Sequence, residues 1–317
     1  MAKRVLITGG AGFIGSHLAE FLHARGDAVS VLDDLSTGRR ENLLSLHGLP
    51  RFTLVTGTVE DEPLVSQLVA DADMVFHLAS AVGVQLIVDE PVRTIRTIIR
   101  GTETVLAAAS KNQTPVLITS SSEVYGKGAR VPFSEDDDVV IGATRHSRWC
   151  YAYAKGVDEF LALAHHKQYR LPAVVVRLFN TVGPRQVGQY GMVLPRFVAA
   201  AKAGRDLQVY GDGQQTRCFC HVSDVVAAAV RLLESPACHG SVFNLGSNEE
   251  VSIEQLARRV IALTGSSSKL QYLTYEQAYG QAFDDMLRRV PDLSRIRQAI
   301  GFSPRFTLDD IIRSVAS

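Results

Sequence analysis

Net charge is the first thing this chain lacks: its 317 residues carry 33 Lys and Arg against 33 Asp and Glu. A broad surface for nucleic acid or for an anionic membrane needs surplus cation, so the balance argues against both, while a small basic pocket for phosphates stays compatible with it. Long apolar runs are missing too. No stretch approaches the roughly 20 apolar residues of a membrane span, and the opening "MAKRVLITGG" enters a strand-like run instead of a signal peptide. A cytoplasmic protein is expected. Cysteine is scarce, and Cys150, Cys218, Cys220 and Cys238 are expected to be reduced thiols. Zinc would need two further ligands at suitable spacing, so no metal is expected. Repeats and low-complexity tracts are absent, and "GSSS" at 265–268 reads as a loop.

What is present is a pattern of short β-branched runs: "RVLITGG", "AVSVLDD", "FTLVTG", "MVFHLAS", "PVLITSS", "AVVVRLFN" and "SVFNLGS". Most are apolar on both faces, as buried parallel strands are. Helical patterns at 13–25, 63–70, 92–111, 149–168 and 223–235 lie between them, so the fold class is α/β, a Rossmann-like doubly wound parallel sheet of about seven strands. Beyond residue 180 the chain turns to loops such as "GPRQVGQYG" and "VYGDGQQTR", then to amphipathic pieces at 252–264 and 307–316. The expected division is a nucleotide-binding Rossmann domain over 1–179, with 216–246 returning to it, and a smaller C-terminal region over 180–317.

"TGGAGFIGSH" follows the first strand and opens the first helix. Gly9 permits a tight turn, Gly12 lets the backbone approach a pyrophosphate, and Gly15 allows close helix–strand packing, with Phe13 and Ile14 at the anion-facing helix start. Asp33, closing the second strand, would accept hydrogen bonds from adenosine ribose hydroxyls and repel a 2′-phosphate, favouring NAD over NADP; Arg39 and Arg40 lie nearby. In "WCYAYAKGVDEF", Tyr151 and Lys155 stand at i and i+4 on one helix face, where phenol and ammonium can point at one ligand. Tyr153, at i+2, does not share that face. A cation beside a tyrosine lowers its pKa from about 10, so Lys155, with a positively charged nicotinamide ring, is expected to make Tyr151 a usable base. "TSSSEVYG" ends the fifth strand and sets Glu123 directly after Ser122.

With "HLAS", "SSSEVYG", "YAYAK", "RLFNTVGPR", "VYGDGQQTR", "HVSDV", "FNLGS" and "RRVPD" added, the chain resembles the extended short-chain dehydrogenase/reductase family, in its group of nucleotide-sugar epimerases, dehydratases and decarboxylases. The resemblance implies oxidation of a sugar at carbon 4 by NAD, chemistry on the 4-keto sugar, and return of the hydride. It implies that Ser122 or Ser121 bonds the 4-oxygen, that Tyr151 takes the proton, and that Lys155 also holds the nicotinamide ribose. Asn180, Arg217 and Arg289 resemble diphosphate ligands, Tyr210 and Val193 nucleotide-pocket residues, and Arg185 a further pocket member. The helices at 92–111 and 149–168 resemble those of a four-helix homodimer interface. Thr58 and Ile98 depart from the family pattern, which has Asp and Asn there.

The reactions differ in what they ask of Glu123. A 4,6-dehydratase resembles an Asp–Glu acid–base pair, and Ser122 fills the first place here. Uronate decarboxylases resemble the Ser-Ser-Glu pattern and an Arg in a "TRxF"-like stretch, matching Arg217. "GPRQ" resembles the 4-epimerase branch. The order of expectation is a UDP-glucuronic acid decarboxylase, then a UDP-sugar 4-epimerase, then a dehydratase or a non-catalytic NAD-binding sensor; the intact Ser122, Tyr151 and Lys155 argue against the last.

Overall fold

A computed structural model describes residues 2–80, 90–128, 130–188, 192–279 and 286–317; of the loop "GPRQVGQYG", residues 189–191 lie outside it. All seven expected runs form one parallel sheet. Its strands are β1 (Arg4–Thr8), β2 (Ala28–Asp33), β3 (Phe52–Thr56), β4 (Met74–His77), β5 (Val116–Ser121), β6 (Ala173–Leu178) and, at the edge, Ser241–Leu245. The spatial order is Ser241–Leu245, β6, β5, β4, β1, β2, β3. It reverses between β1 and β4, which opens a crevice at the strands' carboxyl ends, where doubly wound sheets bind ligands.

Helices cover both faces. Phe13–Arg25 and Val222–Glu234 pack with one apolar cluster, Glu62–Ala70, Pro91–Asn112 and Cys150–Tyr169 with the other. The strands read as near-continuous apolar runs where helices cover both faces; at the edge, β3 leaves Thr53 and Thr56 exposed. A third cluster forms the C-terminal lobe from Val193–Lys202, Ile253–Thr264 and Leu308–Ala316. The latter two helices open on capping boxes at Ser252 and Thr307. Strand Thr216–Cys218 pairs with Glu250–Ser252 and Arg288–Arg289, so it belongs with this lobe. The chain's return to the main sheet is therefore shorter than 216–246. No described helix is long and apolar enough to cross a membrane.

Candidate active site

The crevice is a cleft of about 470 Å³. Gly9, Gly12, Phe13, Ile14, Gly15 and Asp33 line one end, and Ser121, Ser122, Glu123, Tyr151 and Lys155 its middle. Asn180, Val193, Tyr210, Arg217 and Arg289 line the far end. Residues distant in sequence meet here because β1, β4 and β5 all stop at this edge.

The glycine turn is shaped by close approach. Gly9 has φ +70°, and a Cβ there would stand 2.7 Å from the Ala79 nitrogen. A Cβ on Gly15 would meet the Gly9 carbonyl oxygen at 2.3 Å. Gly12 is different: within 4 Å its Cβ would meet only that oxygen, at 3.1 Å, and nothing else. No side chain caps helix Phe13–Arg25, so its first amides are left for an anion. Asp33 is buried, accepts from Ala11 N at 2.9 Å and Leu35 N at 2.8 Å, and its pKa is raised by burial against these bonds. Arg40 donates to Thr56 Oγ1 at 2.9 Å. This set fits a dinucleotide whose ribose lacks a 2′-phosphate.

Helix Cys150–Tyr169 carries Tyr151, 8% exposed, and Lys155, 2% exposed. Lys155 Nζ lies 3.1 Å from Asp158 Oδ2, an i,i+3 pair sealed in the interior. His77, between Thr8 and Thr102 hydroxyls, is held neutral, its pKa pulled to about 3 by burial and by Lys155. Without the nicotinamide ring, the chain's own groups raise the Tyr151 pKa. Burial is the largest cause, and Glu123 and Asp158 add to it; the Ser121 and Ser80 hydroxyls act the other way. Ser121 and Ser80 are the hydroxyls that act on Tyr151, and Ser122 lines the same cleft. Ser121 Oγ also accepts from Glu123 N at 3.2 Å and so starts the turn that presents Glu123. Ile98, fully buried, packs with Tyr151 and Ala154. Thr58 turns its hydroxyl to Glu60 N at 3.2 Å.

Glu123 lies between two arginines. Arg148 Nη1 donates to its Oε2 at 2.7 Å, and Arg289 Nη1 donates to its Oε1. Burial opposes its charge, but Arg289 and Arg148, with Arg217 behind them, hold its pKa at about 2. It is therefore a fixed carboxylate at neutral pH. Arg289 Nη2 also reaches Asn180 Oδ1 at 3.3 Å, and Arg217 stands beside it in strand register. The guanidinium of Arg196 lies 3.9 Å from the Tyr210 ring centroid at the far end.

Arg185 is the expected site residue that does not line the cleft. Its Nη2 is 2.5 Å from Glu20 Oε2 and its Nη1 donates to Asn42 O at 2.8 Å, so it ties the loop after β6 to the first helix. The sequence reading missed Arg148, Arg196, Gln215 and Tyr275, all of which line the cleft.

The turn bearing Glu123 has a polar anchor below it. Tyr125 OH donates to Asn244 Oδ1 at 2.7 Å on the edge strand, and Arg177 packs 4.7 Å over the Tyr125 ring. Arg177 in turn grips Glu159 of helix Cys150–Tyr169 at 2.7 Å, and Ser120 donates to the same carboxylate. Strand, helix and turn are thus locked together by one buried network.

A family profile described as GDP-mannose 4,6 dehydratase matches residues 6–315. A curated relative in Bacillus cytotoxicus, described as UDP-N-acetyl-alpha-D-glucosaminuronate decarboxylase, is 43% identical over 96% of this chain and 94% of its own length. UDP-glucuronic acid decarboxylase 1 of Xenopus tropicalis is 37% identical over 97% of this chain and 70% of its own. Among solved structures, UDP-glucuronic acid 4-epimerase from Bacillus cereus, in complex with UDP-glucuronic acid and NAD, superposes with a TM-score of 0.88 at 27% identity, covering 99% of this chain and 98% of that one.

Proposed function

The chain belongs to the GDP-mannose 4,6 dehydratase family, within the extended short-chain dehydrogenase/reductases, and from that premise we propose that it decarboxylates a UDP-linked uronic acid, glucuronate or its 2-acetamido analogue, with NAD as cofactor. Tyr151 takes the proton of the sugar 4-hydroxyl, with the Ser121 hydroxyl on the same oxygen. NAD, held by the glycine turn, Asp33 and Lys155, would accept the carbon 4 hydride and later give it back. The 4-keto group lies β to the carboxylate, so the electron pair of the breaking bond to carbon 6 passes into it as carbon dioxide leaves. Carbon 5 then takes a proton, and the keto group is reduced again. Asn180, Arg217 and Arg289 hold the diphosphate.

The observation that carries this reading is Ser122, which stands where the dehydratase pair has its acid, beside a Glu123 held as a carboxylate at a pKa of about 2. Expelling a 6-hydroxyl, as a dehydratase must, needs an acid at the place Ser122 fills; losing carbon dioxide does not. The 4-epimerase is the second reading, favoured by the fit to a solved UDP-glucuronic acid 4-epimerase. Incubating the protein with NAD and each UDP-uronate, and following the sugar by NMR, tests the choice. Carbon dioxide and a UDP-pentose or its acetamido counterpart are expected; a carbon 4 epimer retaining its carboxylate would overturn decarboxylation and leave epimerisation.

We read residues 1–179, with the returning segment, as the NAD-binding part of a cytoplasmic enzyme and 180–317 as the nucleotide-sugar part. We also read it as a homodimer. Helices Pro91–Asn112 and Cys150–Tyr169 expose Val92 (78%), Ile95, Val157 and Phe160 (76%), an apolar face that a lone chain would leave in water. Light scattering should give twice the 34.5 kDa chain mass, and Phe160→Glu should drive it to monomer; a monomeric wild-type protein would sink this reading.

A further inference from the structure

The two arginines on Glu123 face different demands. Arg289 belongs to the C-terminal lobe, on strand Arg288–Arg289, with Arg217 in register beside it and Asn180 on its other nitrogen. All three line the same end of the cleft. A diphosphate carries more charge than one carboxylate and takes arginine's paired donors readily, so it competes with Glu123 for Arg289. Arg148 is on the other side. It comes from the turn Ser147–Trp149, directly before the catalytic helix. Its guanidinium lies 4.3 Å from the centre of the Trp149 ring. That ring is 1% exposed and wedged so tightly that a Cβ on Gly142 would stand 2.1 Å from its Nε1. Arg148 is therefore stacked on a rigid platform, with Nη1 2.7 Å from Glu123 Oε2 and its side chain 11% exposed.

We propose that Arg148 is the positioning residue that holds Glu123 in place when Arg289 turns to the substrate's diphosphate. The inference rests on the reading of the substrate as a diphosphate-linked sugar. It makes Arg289 an exchangeable partner and Arg148 a permanent one. Among the described residues, the charged and titratable groups facing Glu123 include Arg148 from the turn, Tyr151 from the helix, and Arg289 and Arg217 from the lobe. With Arg289 drawn off, Arg148 is the nearest remaining counter-charge.

The test is the titration of Glu123 itself, followed by NMR of protein labelled with ¹³C at the glutamate δ-carboxyl, with the signal assigned by Glu123→Gln. Saturation with NAD and UDP fills the diphosphate site without turnover. In the wild type the midpoint should stay in the acid range, within about half a pH unit of its value without UDP. In Arg148→Met with UDP it should rise by about one pH unit or more, and Arg148→Lys should recover most of that rise. Turnover should follow the same order: kcat falls by about 100-fold in Arg148→Met with KM changed less than about threefold, and Arg148→Lys restores it to within about tenfold. A midpoint unmoved by Arg148→Met, or a raised KM with kcat intact, would overturn the proposal. So would protonation of wild-type Glu123 near neutral pH on addition of UDP, a measurement that needs no variant to fold. If the wild type releases no carbon dioxide from either uronate, the proposed reaction fails, while the titration still decides the role of Arg148.

Discussion

In the proposed reaction Tyr151 works as a base although its own surroundings raise its pKa. Ser121 acts against that rise from the protein side, so the two residues form one functional unit. Tyr151→Phe removes the proton acceptor and should lower kcat by about 10²–10⁴-fold with NAD still bound. Ser121→Ala should lower kcat and move the limb of the pH profile that reports phenol ionisation to higher pH; Ser122→Ala should leave that limb unmoved. Glu123 makes a different prediction, about stability. Its folded pKa, about 2, lies below the ordinary 4.5, so its contribution is complete above about pH 4.5 and is lost as the pH falls toward about 2. Glu123→Gln leaves Arg148 and Arg289 facing a neutral group, and should cost about 1–3 kcal/mol at pH 7. In chemical denaturation the gap between variant and wild type should close through that acid window; a gap constant with pH would contradict the assignment.

Elements differ in how openly the sequence announces them. The seven strands were legible because each is a short apolar run and most are buried on both faces, the edge strand β3 with Thr53 and Thr56 exposed being the exception, and the first helix because its glycines carry three separate steric demands. Those demands separate by substitution. Gly15→Ala forces a Cβ against the Gly9 carbonyl and should lower Tm with and without NAD, while Gly12→Ala should mainly weaken NAD binding, read by calorimetry. Tyr151 and Lys155 were legible from their i,i+4 spacing. Arg148 was not. It precedes Tyr151 by one helical turn, which could have placed it near the site, but in "RHSRWC" it reads as a loop charge until Glu123 arrives from β5. Arg185 failed the other way: "GPR" fixes a loop, and the loop's direction, set by Glu20 and His17 on the first helix, is a tertiary fact. The Lys155–Asp158 pair had i,i+3 spacing, yet its effect depends on both being buried, which spacing does not show.

At the scale of the molecule, the site joins two bodies. The Rossmann sheet supplies Ser121, Glu123, Tyr151 and Lys155, and the lobe supplies Arg217 and Arg289, with the Glu123–Arg289 contact crossing between them. The edge strand Ser241–Leu245 closes the sheet beside β6 and, through Asn244, pins the turn that carries Glu123. That strand comes last in the sheet, after helix Val193–Lys202 of the lobe and before helices Ile253–Thr264 and Leu308–Ala316. On the ribosome, β6 must wait for about sixty further residues before its neighbour exists, roughly 3–12 s at about 5–20 residues per second. For that interval Val174, Val175 and Val176 form a bare sheet edge on the nascent chain. Stalled chains long enough to bring residue 240 out of the exit tunnel should leave β6 open to protease, and chains that also release Leu245 should protect it; equal protection in both would show that another segment guards the edge during synthesis.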